Sequence, residues 1–168
     1  HFQDGALLPD IPSENARERE AYERMKNGGL FKEYFKRTRE KGLVGLESEY
    51  TFVNAPFAPK FPDQLDVIIK SDVANLLELD KDTIDDTANS FARTINFLTT
   101  QRGVTDFNIL AHQFAFNIFR PEYKLHFHIF PRNKNVYAGS ELNGVYVVDV
   151  FPEETVKAFR SHMNINQT

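Results

Sequence analysis

The sequence of 168 residues contains no cysteine. This absence excludes disulfide bonds, zinc sites built from thiolates and thiol nucleophiles, so any bound metal has to be held by histidine or carboxylate side chains. No apolar run approaches the roughly 20 residues that span a bilayer, and no signal-peptide pattern is present. We therefore expect a cytoplasmic protein that does not associate with a membrane.

Long basic runs are also missing. The chain has 20 lysine and arginine residues against 24 aspartate and glutamate residues, a net charge of −4. This balance predicts no nucleic-acid partner, although a local cluster of cations would still allow a small anionic ligand. A hydrophobic content of 41% with 26% charged residues is typical of a folded globular chain, and the length fits one domain.

The order of predicted elements, β-β-β-α-β-β-α, indicates an α+β domain in which helices cover an antiparallel sheet. Residues 1–41 are expected to form a lead-in and a helical segment that Gly28-Gly29 divides, and residues 42–168 the rest of a single domain. Period-two and β-branched patterns predict the strands, within 42–55, at 64–70, at 107–116 and at 123–130.

Two further helices are expected in this part of the chain. The longer helix is predicted from Asp82, its N-cap, to Arg102, with Gly103 ending it. The last helix is predicted to begin at Pro152. Apolar residues spaced three or four apart are expected to face the core: Ile84, Ala88, Phe91, Ile95 and Leu98 in the longer helix, and Val156, Phe159 and Met163 in the last.

Histidines in two late strands form the main functional pattern. In the strand 123–130, alternation directs Leu125, Phe127 and Ile129 to a core and places His126 and His128 on the opposite face, with Lys124 and Phe130. The preceding strand contains His112 and is the expected hairpin partner. Three imidazoles on one face can converge on one metal ion or one phosphate.

Four segments of the chain resemble the C-terminal half of galactose-1-phosphate uridylyltransferase and related nucleotidyltransferases, a branch of the histidine-triad superfamily. In chain order they are Pro56-Phe57-Ala58-Pro59-Lys60-Phe61-Pro62, Ala111-His112-Gln113, His126-Phe127-His128-Ile129-Phe130-Pro131 and Gly139-Ser140-Glu141-Leu142. The resemblance implies a histidine-triad-like fold and transfer of a nucleotidyl group through a histidine intermediate to a sugar phosphate. Its implied partners are a nucleotide sugar and a sugar phosphate.

Two departures from the superfamily pattern stand out. Lys124 occupies the position of the first triad histidine, so a simple triad hydrolase would have to use His126 as its nucleophile without the usual upstream partner. Lys70-Ser71-Asp72 replaces the Pro-basic-x-His that usually ends the third strand. The first departure makes a hydrolase less expected, whereas the second is a departure from the transferase branch itself.

The first residues, His1-Phe2-Gln3, resemble the end of the family's His-x-His-x-Gln active-site motif. The resemblance implies that His1 is the nucleophile and that Gln3 holds the phosphoryl group. The chain begins without methionine, so His1 is either native to a C-terminal half whose preceding half is missing, or the remnant of a tag.

The resemblance also implies a structural metal site of three histidines and one glutamate. His112, His126 and His128 match the histidine positions, and Glu18 is the favoured carboxylate, with Glu14 as the alternative. Such a donor set suits Zn²⁺ or Fe²⁺.

Two further residues are candidate substrate contacts. The resemblance implies that Glu141 hydrogen-bonds sugar hydroxyls, with an exposed loop carboxylate as the alternative. Lys124, on the strand face of His126, is expected either to face a phosphate or to lie at a solvated edge.

Two other functions stay open from the sequence. One is a phosphorylase or adenylyltransferase of the same superfamily that acts on a dinucleotide or a nucleotide sugar. The other is a non-catalytic module that binds metal and dimerises. A homodimer is expected because the segment Phe107–Phe119, with Phe114, Phe116 and Phe119, has more large apolar residues than one sheet face buries. The alternative is a monomer in which the 13–41 helices cover this surface.

Overall fold

The structure, a computed structural model, describes residues 29–114, 123–132 and 147–164, together with Arg17, Glu20, Ala21, Glu23 and Arg24. In this part of the chain the helices are α1 (Leu30–Glu40), α2 (Lys81–Arg102) and α3 (Pro152–His162), with a 3-10 turn at Leu76–Glu78. The strands are β1 (Val44–Glu47), β2 (Thr51–Asn54), β3 (Leu65–Ile69), β4 (Phe107–His112) and β5 (His126–Pro131). No helix in these ranges is long and apolar enough to cross a membrane.

The five strands form one antiparallel sheet in the order β1-β2-β3-β5-β4. β3 is central, and all five of its residues are buried because the sheet is covered on both faces. The predicted α+β class and the predicted order of elements are confirmed. β4 is the hairpin partner of β5, as expected, although β4 ends at His112 and β5 begins only at His126.

Helices α2 and α3 cover one face of the sheet. α2 contacts β2 and β3, and α3 contacts β1. The core cluster beneath them includes the apolar residues that the alternation of β5 predicted to face inward, Leu125, Phe127 and Ile129. Leu125 and Ile129 are fully buried, so this part of the strand prediction is confirmed.

Helix α1 covers the opposite face of the sheet. Its Phe31 packs in a second cluster with Phe52, Ile68, Phe114 and Tyr123. The ring of Phe31 lies edge-on to Tyr123, with centroids 5.4 Å apart. α1 therefore covers part of the apolar surface on which the expected dimer was based.

The homodimer stays a prediction. Phe114 is buried, whereas Phe116 and Phe119 lie outside the described residues. The position of α1 matches the alternative in which residues 13–41 fold back over this face.

The ends of α2 require one correction to the sequence analysis. The N-cap is Asp80, whose carboxylate accepts from the N–H of Thr83 at 2.8 Å, and not Asp82, which lies in the first turn. Gly103 ends the helix with a left-handed backbone (φ 62°), as predicted.

The buried face of α2 also differs from the predicted apolar stripe. Its first half buries Thr83, Thr87 and Ser90, whereas Ile84 and Ala88 are exposed. The hydroxyl of Thr87 donates to the carbonyl of Thr83, and that of Ser90 hydrogen-bonds the hydroxyl of Thr51 on β2. Because these hydroxyls are hydrogen-bonded, burying them costs little desolvation energy. A prediction from the spacing of apolar residues does not include such buried hydroxyls.

A close contact between β1 and α3 depends on Gly45, where the β1–β2 register shifts. A Cβ built there would lie 2.9 Å from Cδ1 of Phe159, whose side chain is fully buried. Gly45→Ala is expected to lower the free energy of unfolding by about 1–3 kcal/mol, because the buried Phe159 ring or the strand would have to shift to admit the methyl group. Urea unfolding monitored by circular dichroism measures the change. A variant as stable as the wild type would contradict this contact.

Candidate metal centre

The register of the sheet brings the three histidines together. His112 of β4 lies directly opposite His126 of β5, and His128 follows two residues later on the same face of the strand. On the other side of β5, Asp66 of β3 lies opposite His128. The face that the sequence predicted for these histidines is the one that carries the cluster.

The imidazole rings are in mutual contact. Ring centroids are 4.9 Å apart for His112 and His126, 4.5 Å for His112 and His128, and 5.2 Å for His126 and His128. One nitrogen from each ring lies within 4.8 Å of the others. His112 and His126 are buried, with only 1% and 5% of their surface exposed. A ligand at this point would be largely shielded from solvent.

Hydrogen bonds fix the neutral tautomer of two of the rings. Nδ1 of His126 lies 2.8 Å from the carbonyl oxygen of Lys124, and Nδ1 of His128 lies 2.7 Å from Oδ1 of Asp66. A carbonyl and a carboxylate only accept, so both Nδ1 atoms donate and a neutral ring keeps its lone pair on Nε2. Histidines that ligate metals usually have this second hydrogen bond to a carbonyl or carboxylate.

The donor set fits a divalent transition metal. Three imidazole nitrogens suit Zn²⁺ or Fe²⁺, which bind histidine at about 2.0–2.1 Å. A phosphate, the other ligand considered from the sequence, needs N–H donors, and the Nδ1–H groups of two rings are already used within the protein. The observed hydrogen bonds therefore favour the metal.

A cavity of about 410 Å³ opens in front of the cluster. Leu30, Phe31 and Tyr34 of α1 form one wall, and the loop before β3 forms another with Pro56, Ala58 and Lys60. The remaining lining residues are Arg17, Gln64, Asp66, Ile68 and the three histidines. This volume is in the range of small-molecule sites in proteins.

Tyr34 remains a neutral phenol in this cavity. Its burial, and secondarily the nearby charge of Asp66, raise the pKa of Tyr34 far above its usual range. Its hydroxyl oxygen accepts from Nδ2 of Asn54 at 2.8 Å. The neutral phenol is thus held by a hydrogen bond within the protein at the wall of the cavity.

Asp66 and Gln64 belong to the site and were missed by the sequence analysis. In β3, Leu65, Val67 and Ile69 belong to the core cluster under α2 and α3, which places Asp66 on the opposite face of the strand. An acidic residue within an otherwise apolar strand, on the face that also carries the histidines, is the pattern from which Asp66 could have been found.

Lys124, a predicted substrate contact, has its ammonium group at the end of β3. It donates to the carbonyl oxygen of Lys70 at 2.6 Å and pairs with the carboxylate of Asp72. Lys124 and the Lys70-Ser71-Asp72 segment are the two departures from the superfamily pattern noted above. The two departures contact each other: the ammonium group of Lys124 is bound by the carbonyl of Lys70 and the carboxylate of Asp72.

Four predicted site residues lie outside the described residues: His1, Gln3, Glu18 and Glu141. The same holds for Glu14. Arg17, which precedes Glu18 in the sequence, lines the cavity beside the histidines.

Comparison with known proteins shows the fold of the chain. No family model matches the sequence, and no curated protein matches it. Among solved structures, a uridylyltransferase superposes with a TM-score of 0.78 at 24% identity, covering 96% of this chain and 54% of that one. The ADP-glucose phosphorylase of Arabidopsis thaliana, with bound ADP-glucose, superposes with a TM-score of 0.72 at 22% identity, covering 91% and 50%.

A smaller relative in fold is a Zn-bound histidine triad family protein from Mycobacterium smegmatis, with a TM-score of 0.53 at 18% identity and coverage of 72% and 83%. The chain therefore has the histidine-triad fold. More particularly, it has the form of that fold found in uridylyltransferase-like proteins, as the resemblance in sequence had implied. The chain spans about half the length of the uridylyltransferase and phosphorylase chains that it matches.

Proposed function

We propose that this chain is the C-terminal half of a nucleotidyltransferase of the galactose-1-phosphate uridylyltransferase type. The observation that most supports the proposal is the buried cluster of His112, His126 and His128 at the positions that the resemblance assigns to the family's metal site. The similarity in fold to a uridylyltransferase of about twice the length adds support.

The proposed reaction proceeds by two displacements at one phosphorus. The imidazole of His1 attacks the α-phosphorus of a nucleotide sugar, the sugar phosphate leaves, and a nucleotidyl-histidine intermediate forms. A second sugar phosphate then attacks this phosphorus and releases the imidazole. Gln3 would hold the phosphoryl oxygens, on which negative charge develops. Glu141 would bind sugar hydroxyls, whereas Lys124, whose ammonium group pairs with Asp72, is given no substrate contact in this proposal.

The metal is proposed to be structural. His112, His126 and His128 would hold Zn²⁺ or Fe²⁺ with Glu18 as the fourth ligand. When bound, the ion would cross-link β4, β5 and the segment that precedes α1. Because the three histidines come from two adjacent strands, its binding free energy would stabilise the folded sheet.

The bound ADP-glucose of the phosphorylase favours a second candidate function. That protein is similar to this chain over nearly the same span as the uridylyltransferase. A phosphorylase or adenylyltransferase would share the histidine intermediate and the nucleotide-sugar substrate, and would differ in the second acceptor. The cytoplasmic location and the homodimer belong to the proposal in either case, and a non-catalytic metal-binding module is the third candidate.

The fragment proposal predicts that this chain alone is inactive. Incubation with UDP-glucose and galactose-1-phosphate is expected to yield no UDP-galactose above background, because half of the active site would be missing. The same chain expressed with its natural upstream sequence is expected to turn over with ping-pong kinetics. Chromatographic quantification of the nucleotide sugars provides the measurement.

His1→Ala in the longer protein is the matched control and is expected to abolish turnover, because no nucleophile remains. Robust turnover by this chain alone would contradict the proposal that it is a half. Turnover with ADP-glucose and inorganic phosphate only, in the longer protein, would favour the phosphorylase.

A further inference from the structure

We propose that Asp66 and Gln64 are positioning residues of the metal centre. They form a hydrogen-bonded chain that connects the ring of His128 to the backbone of the cavity loop at Lys60. The inference rests on the metal site of the proposed function and extends it to residues that the resemblance does not assign.

Three consecutive hydrogen bonds make up the chain. The N–H of Lys60 donates to Oε1 of Gln64 at 2.9 Å, and Nε2 of Gln64 donates to Oδ1 of Asp66 at 3.2 Å. Nδ1 of His128 donates to the same oxygen of Asp66 at 2.7 Å. A backbone N–H only donates, so the orientation of the Gln64 amide is fixed: its oxygen faces Lys60 and its nitrogen faces the carboxylate.

The surroundings leave Asp66 no alternative position. It is the second residue of β3, paired with Asn54 of β2 on one side and with His128 of β5 on the other. Its side chain is only 4% exposed, and Gln64 is also buried. A buried carboxylate is costly without hydrogen-bond donors, so Asp66 holds the His128 ring with Nδ1 toward the carboxylate. Nε2 of His128 is then the atom that would bind the metal.

The chain also links the metal to the cavity. Lys60 lines the cavity with Pro56 and Ala58 of the same loop. Coordination through Nε2 would fix the His128 ring in one position, and with it the Asp66 carboxylate and the Gln64 amide that are hydrogen-bonded to it. By linkage, metal binding should then make the hydrogen bond from the Lys60 N–H to Gln64 open less often.

Metal affinity is the first test. Titration of the chain with Co²⁺, followed by visible absorption, reports both affinity and coordination geometry. Asp66→Ala is expected to weaken binding about 10–100-fold and to change the spectrum. Asp66→Asn keeps an acceptor for His128 while removing the charge, and is expected to weaken binding less than about tenfold. It also serves if Asp66→Ala does not fold.

The matched control is Asp86→Ala. This variant removes a carboxylate that binds Ser48 and the N–H of Tyr50 in another part of the fold. It is expected to reduce stability without changing the Co²⁺ affinity or spectrum.

Amide hydrogen exchange at Lys60 is the second test. Zn²⁺ is expected to slow this exchange in the wild type and not in Gln64→Ala, where the chain is interrupted. Asn75→Ala removes another buried amide side chain, which caps the 3-10 turn. In Asn75→Ala, Zn²⁺ is expected to slow exchange at Lys60 as it does in the wild type. If Gln64 acted only through general stability, loss of either buried amide would remove this effect.

The two proposals fail in different ways. A wild-type chain that binds no Co²⁺ or Zn²⁺ would overturn the metal site and, with it, the positioning chain. If Asp66→Ala and Gln64→Ala bind metal as tightly as the wild type, and Zn²⁺ slows amide exchange at Lys60 equally in all three proteins, the positioning chain alone is overturned.

Discussion

Saturating Zn²⁺ is expected to raise the melting temperature of this chain by about 8–16 °C. An ion present at about 1,000 times its Kd stabilises the folded state by about 4 kcal/mol. For a protein of this size, each kcal/mol corresponds to roughly 2–4 °C. The expected magnitude is large because His112, His126 and His128 are already held near one another in the folded sheet, whereas the unfolded chain has no such site.

Differential scanning calorimetry of the chain, stripped of metal with a chelator that is then removed, measures this shift with and without added Zn²⁺. His112→Ala is expected to abolish it, although the variant is itself less stable because His112 is buried. His162→Ala is the matched control, since His162 hydrogen-bonds Asn96 on the other side of the sheet. A shift of equal size in His112→Ala would contradict the assignment of the site.

The second large effect is expected in the core. Phe97→Ala should lower the free energy of unfolding by about 3–5 kcal/mol, because Phe97 is fully buried and the smaller side chain leaves a cavity. Its ring lies edge-on to Phe159 with centroids 5.3 Å apart, which joins α2 to α3. Urea denaturation gives the free energy.

Phe57→Ala is the control for this substitution. Phe57 is 65% exposed, and its removal is expected to change stability by less than about 0.5 kcal/mol. A loss below about 1 kcal/mol in Phe97→Ala would show that the two helices are not joined through this ring.

The sheet and its histidines were predictable because strand alternation gives each residue a definite face. In β5, that alternation separates His126 and His128 from Phe127 and Ile129. The partnership with His112 followed from the expected hairpin. The register that places His112 opposite His126 could not be derived, since alternation gives the face of each residue but not its partner on the neighbouring strand.

The prediction for α2 is confirmed at Leu98 and Phe91, which belong to the core or pack on it, and is wrong in the first half of the helix for a physical reason. Periodicity methods treat threonine and serine as polar, but Thr87 and Thr94 satisfy their hydroxyls on the carbonyls one turn earlier. The helix can then place this narrow face against the sheet, and Ile84 is left exposed. Such pairings depend on the neighbouring strand as well as on the helix itself.

The walls of the cavity were the least predictable part of the site. Tyr34 and Phe31 are far from the histidines in sequence, and only the packing of α1 on the sheet brings them to the cavity. Asp66, in contrast, shares a strand face with the site, and its position could have been inferred from β3 alone.

Elemental analysis of the purified chain, dialysed without a chelator, tests the metal centre most directly. The account predicts close to one Zn or Fe per chain in the wild type and in His162→Ala. It predicts almost none in a variant in which His112, His126 and His128 are all replaced by alanine. A wild-type chain that is free of metal and takes up none when Zn²⁺ is added would contradict the account, as would equal metal content in the triple variant.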